Sequence, residues 1–362
     1  DRSLCAHCIF SDFSKAFDKV CHQLLLFKLS LLNIDTSLLK WIECFLFNRV
    51  QYLTANNHSS SSAAVHSGVP QGSVLGPLLF LIYINGHTSS LSSNIHLFAD
   101  DCVIFREITS NNGSLSLQSD LNTVAAWCST WRMDLNIAKC NVVRLTRSAN
   151  TPPKYYLSNV PLDPVSSYKY LGVLITSNLS WAPHIAYITN NANRMLGYIR
   201  RNFSKAPSAL KLLLYKTLIR SKLEYASSVC DPYHDNLVTS FERVQNNSAR
   251  FILSNYNRIA SISSMKSSLG LPSLASRRKI SSLSTFHKLF HHSTLHNQLI
   301  LNPQYISHRI DHRHKVGIAS CNSQCFYRSF IHRTSVDWNH LPEYIVTITN
   351  NNIFRPTLLS IV

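Results

Sequence analysis

The sequence predicts an α+β fold, an antiparallel sheet with packed helices followed by a largely helical second half. Three features of its 362 residues carry this expectation. Across residues 1–150, short β-forming runs alternate with apolar stretches at helical spacing. From Trp181 onward the spacing turns helical, over Ile185–Phe203, Ser208–Tyr225 and Leu237–Tyr256. Charge divides at the same place: residues 151–362 hold 24 of the 35 Lys and Arg but 8 of the 18 Asp and Glu. A basic half beside a near-neutral one suits a surface that holds a phosphate backbone, or else a merely soluble basic domain. With 45% hydrophobic and 15% charged residues the chain is globular, long enough for two or three domains.

Taken in order, Leu4–Asp12 reads as a central strand that ends on an acid. Val20–Leu32 and Thr36–Phe47 read as helices, the first stopped by Asn33 and the second capped by Asp35 or Thr36. Arg49–Thr54 and Ala63–Ser67 make a hairpin around the serines at 59–62. Gly68–Gly76 is a glycine-rich loop opening an apolar helix. The apolar run Val74–Ile84 is too short for a bilayer, which takes about 20 residues. Ile95–Phe105 is a second hairpin with Asp100 and Asp101 at its tip, since neighbouring side chains on a strand point apart and meet only across a tight turn. Ser119–Met133 is a helix, Val142–Thr146 a strand, and Lys154–Leu157 and Tyr168–Ile175 are strands.

Adjacent carboxylates repel unless a cation neutralises them. An isolated Asp-Asp pair is ordinarily a surface turn. Here a second acidic strand end at Asp12 and the loop Ser67–Pro77 accompany it. An acid on a strand, a glycine-rich loop and an acidic hairpin fit a two-metal phosphoryl-transfer site, with ions about 3.5–4 Å apart. Hard oxygen ligands suit Mg2+.

At these residues the sequence resembles a family. Asp-x-x-x-x-Phe at 12–17, Gly-Val-Pro-Gln-Gly-Ser at 68–73 and Phe-Ala-Asp-Asp at 98–101 are similar, in that order, to motifs A, B and C of reverse transcriptases. The surrounding Phe-Ser-Lys-Ala-Phe-Asp-Lys-Val and Gly-Ser-Val-Leu-Gly-Pro-Leu-Leu-Phe resemble non-LTR retrotransposons of the LINE, jockey-like kind. The likeness covers most of the chain and weakens after about residue 290. It implies an RNA-directed DNA polymerase working on an RNA template, a DNA primer and deoxynucleoside triphosphates. Two Mg2+ ions, or Mn2+, would serve it, with no small-molecule cofactor. Residues 1–150 would form the palm, 151–180 the primer-grip strands, 181–260 a helical thumb and 261–362 a basic C-terminal tail region.

The resemblance also implies roles. Asp12, Asp100 and Asp101 would hold the metal ions, Asp101 more for arrangement than for direct ligation. Lys139 lies in a segment similar to motif D and would act as general acid toward pyrophosphate, unless it is a solvated loop lysine. Phe13, Phe17, Gln71 and Gly72 would face the nucleotide. An aromatic ring at 17 would exclude a ribose 2′-hydroxyl, although Phe17 also suits the core, and Gln71 could equally turn to solvent. Asp18 reads better as a first-turn acid than as a ligand. Gly172, in a segment similar to motif E, would let backbone approach the primer. Arg194, Arg200, Arg201 and Lys205, with Tyr198 and Tyr215 among them, would track a duplex backbone, against the plainer reading of a solvated charged face.

A second functional reading stays open, a catalytically inactive or co-opted remnant that only binds nucleic acid. Motif A lies close to Asp1 with no fingers or endonuclease before it, so a fragment of a longer polyprotein is expected. The intact acids favour activity. Ten scattered cysteines and no visible secretory signal favour reduced thiols inside the cell, in nucleus and cytoplasm, with no membrane partner. His287, His291, His292, His296, His312 and His314, with Cys321 and Cys325, lack the paired spacing of a zinc knuckle.

Overall fold

A computed structural model describes residues 5–86, 91–146 and 153–361. Leu4 and residues 147–152, at the expected first strand and first boundary, lie outside them. The chain divides into two compact units, one ending at Gly172 and taking in Thr176–Asn178, the other holding Val173–Ile175 and the chain from Leu179 onward.

The first unit is built on five strands: β1 (Cys5–Ser11), β2 (Asn94–Phe98), β3 (Asp101–Ile108), β4 (Asn141–Leu145) and β5 (Asp163–Val165). Their order is β5-β4-β1-β3-β2. β1 is central, antiparallel to both β3 and β4. β5 joins β4 in parallel, a pairing the sequence does not announce, since Pro164 removes a donor. β2 is an edge strand, with Phe98 64% exposed at its end. Helices His22–Ser30, Thr36–Leu46, Leu75–Ile84 and Asn111–Thr130 cover the sheet. They bring Leu25, Leu46, Phe80, Tyr83 and Leu121 into one core with Ile9 and Ile104. Asp35 caps the second helix, accepting from the backbone of Ser37 and Leu38. The hairpin expected around the serines pairs Arg49–Gln51 with Ala63–Val65.

Helix Asn111–Thr130 starts earlier than the expected Ser119 and stops short of Met133. Asn, Gly and Ser depress helix propensity over its first turns. Burial of Leu117 and Leu121 in the core overrides that preference.

The second unit opens with helices Ala182–Asn202, Ser208–Leu214 and Asp235–Ile252. Between Tyr215 and Arg220 the backbone widens into π-helical geometry before Ser221–Glu224 resumes the α-helix. Ala192, Leu196, Tyr215, Phe241 and Val244 form the core here. Residues 261–361 hold further helices the sequence pattern does not show, chiefly Leu274–Phe290, Phe330–Asn339 and Asn351–Leu359. These pack Leu283, Phe286, Ile345 and Phe354 around Trp338. Asp231 ties them to the preceding segment: Arg278 Nε donates at 2.8 Å to Oδ1, and Arg333 Nη1 lies 2.9 Å from Oδ2. Among the described residues no helix is long and apolar enough to cross a membrane.

Candidate active site

Asp12 follows directly on β1, and the chain is held on both sides of it. Asn136 N donates to Asp12 O at 2.8 Å and Ser14 N donates to Asp134 O at 2.7 Å, while Phe13 bridges to Leu135. Alternation along this extended segment turns the Phe13 ring away from the Asp12 carboxylate. Phe13, expected at the nucleotide, is instead a core residue at 3% exposure.

β2 and β3 form the expected hairpin, with Phe98 paired to Asp101. Ala99 and Asp100 therefore make the turn, Ala99 in the left-handed region at φ 52°. Ser11 pairs with Cys102 across β1 and β3. Asp12 and Asp101 are the next residues beyond that last pair, one at the end of each strand. Burial first, then the carboxylates of Asp100 and Asp12, push the Asp101 carboxyl above the usual range. That repulsion is what a divalent cation relieves, so the donor chemistry fits hard metal ions. The acids do not close into a finished cage: among the described residues no group of three or more His, Cys, Asp or Glu could hold a metal as it stands. The cation on Asp12 is Lys139, with Nζ 3.3 Å from Oδ2. The 3-10 turn Ile137–Lys139, just beyond the Asn136 contact, brings it there.

The glycine-rich loop lies against the turn that follows Asp12. Val69 N donates to Phe17 O at 2.9 Å, Gly68 N to Val20 O at 2.8 Å, and Ser67 Oγ to Asp18 O at 2.8 Å. His22 Nε2 donates to Gly68 O at 2.7 Å. Gly68 has φ +90°, and a Cβ there would meet Asp18 Cα at 2.8 Å. Gln71 turns onto the same residue, its Nε2 donating to Asp18 Oδ1 at 2.9 Å. Gly72 is exposed beside it. Phe17 is half-buried and stacks on Phe80 with ring centroids 4.2 Å apart. Sequence reasoning missed the anchoring role of Asp18, His22 and Ser67, because no spacing rule links residues so far apart in the chain.

Two positions before Asp12, Phe10 stacks on Tyr168 at 4.3 Å and meets Tyr170 at 5.3 Å. Burial, then the charges of Asp12 and Asp101, push the Tyr168 phenol up. The Tyr170 phenol is pushed up to about 12, first by burial. The continuous strand expected over Tyr168–Ile175 is broken into Ser167–Tyr170 and Val173–Thr176. Leu171 and Gly172, at φ 46° and 83°, make the turn between them.

In the second unit, Arg194 and Arg201 line a shallow depression of about 780 Å³ with Asn190, Asn193 and Gly197. Arg200 points elsewhere. Its Nη2 donates to Asn247 O at 3.4 Å and its guanidinium lies about 6 Å from the Phe251 and Tyr256 rings. It packs between helices and does not join Arg194 and Arg201. Lys205 is exposed beyond the helix end.

Residues 1–175 match the family described as reverse transcriptase (RNA-dependent DNA polymerase). The chain is 28% identical over 253 residues to a probable RNA-directed DNA polymerase from transposon X-element of Drosophila melanogaster, covering 67% of this chain and 28% of that protein. It is 28% identical over 232 residues to the RNA-directed DNA polymerase from mobile element jockey of Drosophila funebris, covering 61% of this chain and 25% of that protein. The chain thus spans about a quarter of the length of these relatives. A solved telomerase from Candida albicans aligns over 78% of this chain and 48% of its own at 12% identity and a TM-score of 0.34, a likeness too slight to bear on function. Residues 1–175 thus match the reverse transcriptase (RNA-dependent DNA polymerase) family, and the chain is similar to the polymerases of X-element and jockey mobile elements.

Proposed function

We propose that this chain is the RNA-directed DNA polymerase module of a non-LTR retrotransposon, joining deoxynucleotides to a primer 3′-hydroxyl on an RNA template. The observation that carries this reading is the register ending on Ser11 and Cys102, which brings the next residues, Asp12 and Asp101, near enough for the Asp12 charge to act on Asp101, with Asp100 in the adjoining turn. These three carboxylates would hold two Mg2+ ions, or Mn2+. Such ions would supply Lewis-acid chemistry to the attacking hydroxyl and the leaving pyrophosphate. The protein supplies position and charge.

Lys139 places a proton donor at the edge of the acids, where it can serve the leaving pyrophosphate. Phe17, backed by Phe80, forms a flat floor suited to a sugar without a 2′-hydroxyl. Gln71 and Gly72 form the rim of the loop, Gln71 poised by Asp18. The Tyr168–Tyr170 strand, stacked on Phe10 two positions before Asp12, and Gly172 in the turn after it would form the surface on which a primer end rests. The palm would take residues 1–150, the primer grip 151–180, the thumb 181–260 and the tail region 261–362. Arg194, Arg201 and Lys205 would contact backbone phosphates of the template–primer duplex. Such a ribonucleoprotein would work in nucleus and cytoplasm.

The test is deoxynucleotide incorporation by the purified chain on a primed RNA template with Mg2+, beside an Asp100→Ala/Asp101→Ala variant, with duplex binding measured in both. Incorporation that the variant loses while binding persists is the expected result. Binding without incorporation in the wild type would instead make the chain a remnant that only holds nucleic acid.

A further inference from the structure

The second unit contains a pocket of about 360 Å³ lined by Arg277, Arg355, Ser227, Ser281, Glu224 and Ile280. Ser227 is only 4% exposed. Its hydroxyl and that of Ser281 have no hydrogen-bond partner among the described residues, although both residues line the space. Two partly enclosed hydroxyls facing one cavity are donors awaiting an acceptor.

The charge around them is unbalanced in the same sense. Glu224 accepts from Arg277 through Nε and, at 2.8 Å, through Nη2. Arg220 Nε lies 3.9 Å from the same carboxylate. Arg355 reaches the pocket from helix Asn351–Leu359 and forms no salt bridge among the described residues. Two guanidiniums therefore share the Glu224 carboxylate, and the third, Arg355, lines the pocket with no acid of its own among the described residues. Burial, then the neighbouring Arg277, hold the Arg220 guanidinium below its usual value. The π-helical turn Tyr215–Arg220 is what delivers Arg220 to this cluster, and such single turns are uncommon and concentrate at functional sites.

We infer that this pocket is a binding site for a phosphate-class anion, recognised by the guanidiniums of Arg277 and Arg355 and the hydroxyls of Ser227 and Ser281. Guanidinium forks match tetrahedral oxyanions in geometry, and hydroxyl donors complete the shell. The phosphate is either part of a nucleic-acid backbone or a free or mono-esterified group, and the two sources differ in their salt response. The site lies on residues that neither the acids nor the glycine-rich loop involve, so it stands or falls apart from polymerase activity.

The test is thermal denaturation of the full chain in inorganic phosphate against chloride of equal ionic strength. The variants are Arg355→Gln, Ser281→Ala and, as a charge-matched control, Arg258→Gln; Arg277 is spared because it holds Glu224. A phosphate-specific rise in Tm in the wild type and the control, absent in Arg355→Gln and reduced in Ser281→Ala, is expected. Duplex binding across salt then identifies the source. A slope of log K against log salt that falls by about 1 in Arg355→Gln marks a backbone phosphate, and an unchanged slope marks a free or mono-esterified one. No phosphate-specific rise in the wild type, or an equal rise in all four proteins, overturns the inference whatever the salt slope.

Discussion

Lys139 sets its ammonium 3.3 Å from Asp12 Oδ2, so the first acid of the candidate site is already paired with a cation from its own chain. Lys139 is 66% exposed in its side chain. Exposed pairs of this kind contribute about 0–1 kcal/mol, which makes the contact easy to exchange. Replacing Lys139 by Met should leave stability within about 1 kcal/mol while slowing incorporation by about 100-fold, the lower end of general-acid effects. Single-turnover incorporation beside chemical denaturation separates the two. Unchanged turnover would remove Lys139 from the proton-transfer role.

The two glycines of the loop should differ sharply in tolerance. At Gly68 a methyl group would sit 2.8 Å from both Cα and O of Asp18, in a backbone conformation at φ +90°. At Gly72 nothing lies within 4 Å and only the φ of +81° opposes a side chain. Gly72→Ala should cost about 1 kcal/mol, a left-handed backbone penalty. Gly68→Ala should cost more, because the loop must also back away from Asp18. Denaturation midpoints of the two variants give the comparison; equal costs would contradict the close approach.

His7 provides a pH-dependent contribution to stability. It is buried in β1, with Nδ1 2.6 Å from Tyr155 Oη. Burial, then the Arg144 guanidinium, lowers its pKa from 6.5 to about 4. The folded protein keeps it neutral while the unfolded chain protonates below 6.5. Its stabilising contribution is therefore complete above pH 6.5, declines as pH falls toward 4 and levels off below, by about 3 kcal/mol at most. His7→Asn should lack this component. Urea midpoints of both proteins between pH 7.5 and pH 4 check it, and parallel curves would show that His7 titrates normally in the fold.

In the second unit, Arg278 is 2% exposed and depends on Asp231 for its Nε partner. Asp231→Ala would leave that guanidinium buried without a counter-charge, at a cost of about 3–5 kcal/mol. Arg333, which shares Asp231, would lose its partner too. Limited proteolysis should then cut residues 261–361 faster than in the wild type. A variant as resistant as the wild type would mean that the Trp338 core holds these helices unaided.

Much of the first unit was legible because local chemistry and tertiary structure agree there. The acidic hairpin, the loop ahead of helix Leu75–Ile84 and the Asp35 cap each rest on short-range signals and form in the structure, although the turn takes Ala99 and Asp100 and leaves Asp101 as the first residue of β3. Phe13 was misread because likeness to a motif says which residues are near a site, not which way a ring points along an extended segment. The break at Leu171–Gly172 is a turn with two positive φ values, and Leu gives no warning of that. The helices after residue 261 were hidden by serine and histidine. Their apolar stripes are short, and only the convergence of Trp338, Phe286 and Phe354 makes them a core. Arg200 shares its basic character with Arg194, Arg201 and Lys205, yet its position on the helix carries it to the Phe251 and Tyr256 rings.

The acidic hairpin includes β2, which among the described residues has a sheet neighbour on one side only. Its outer row of backbone donors and acceptors runs from Asn94 to the exposed Phe98, with no Pro or Lys to discourage a visitor. Open edges of this kind recruit strands from other molecules. Self-association that grows with concentration is the expected consequence. A charged residue substituted for the exposed His96 should weaken that association without touching the acids, at the loss of the His96 stack on Phe105.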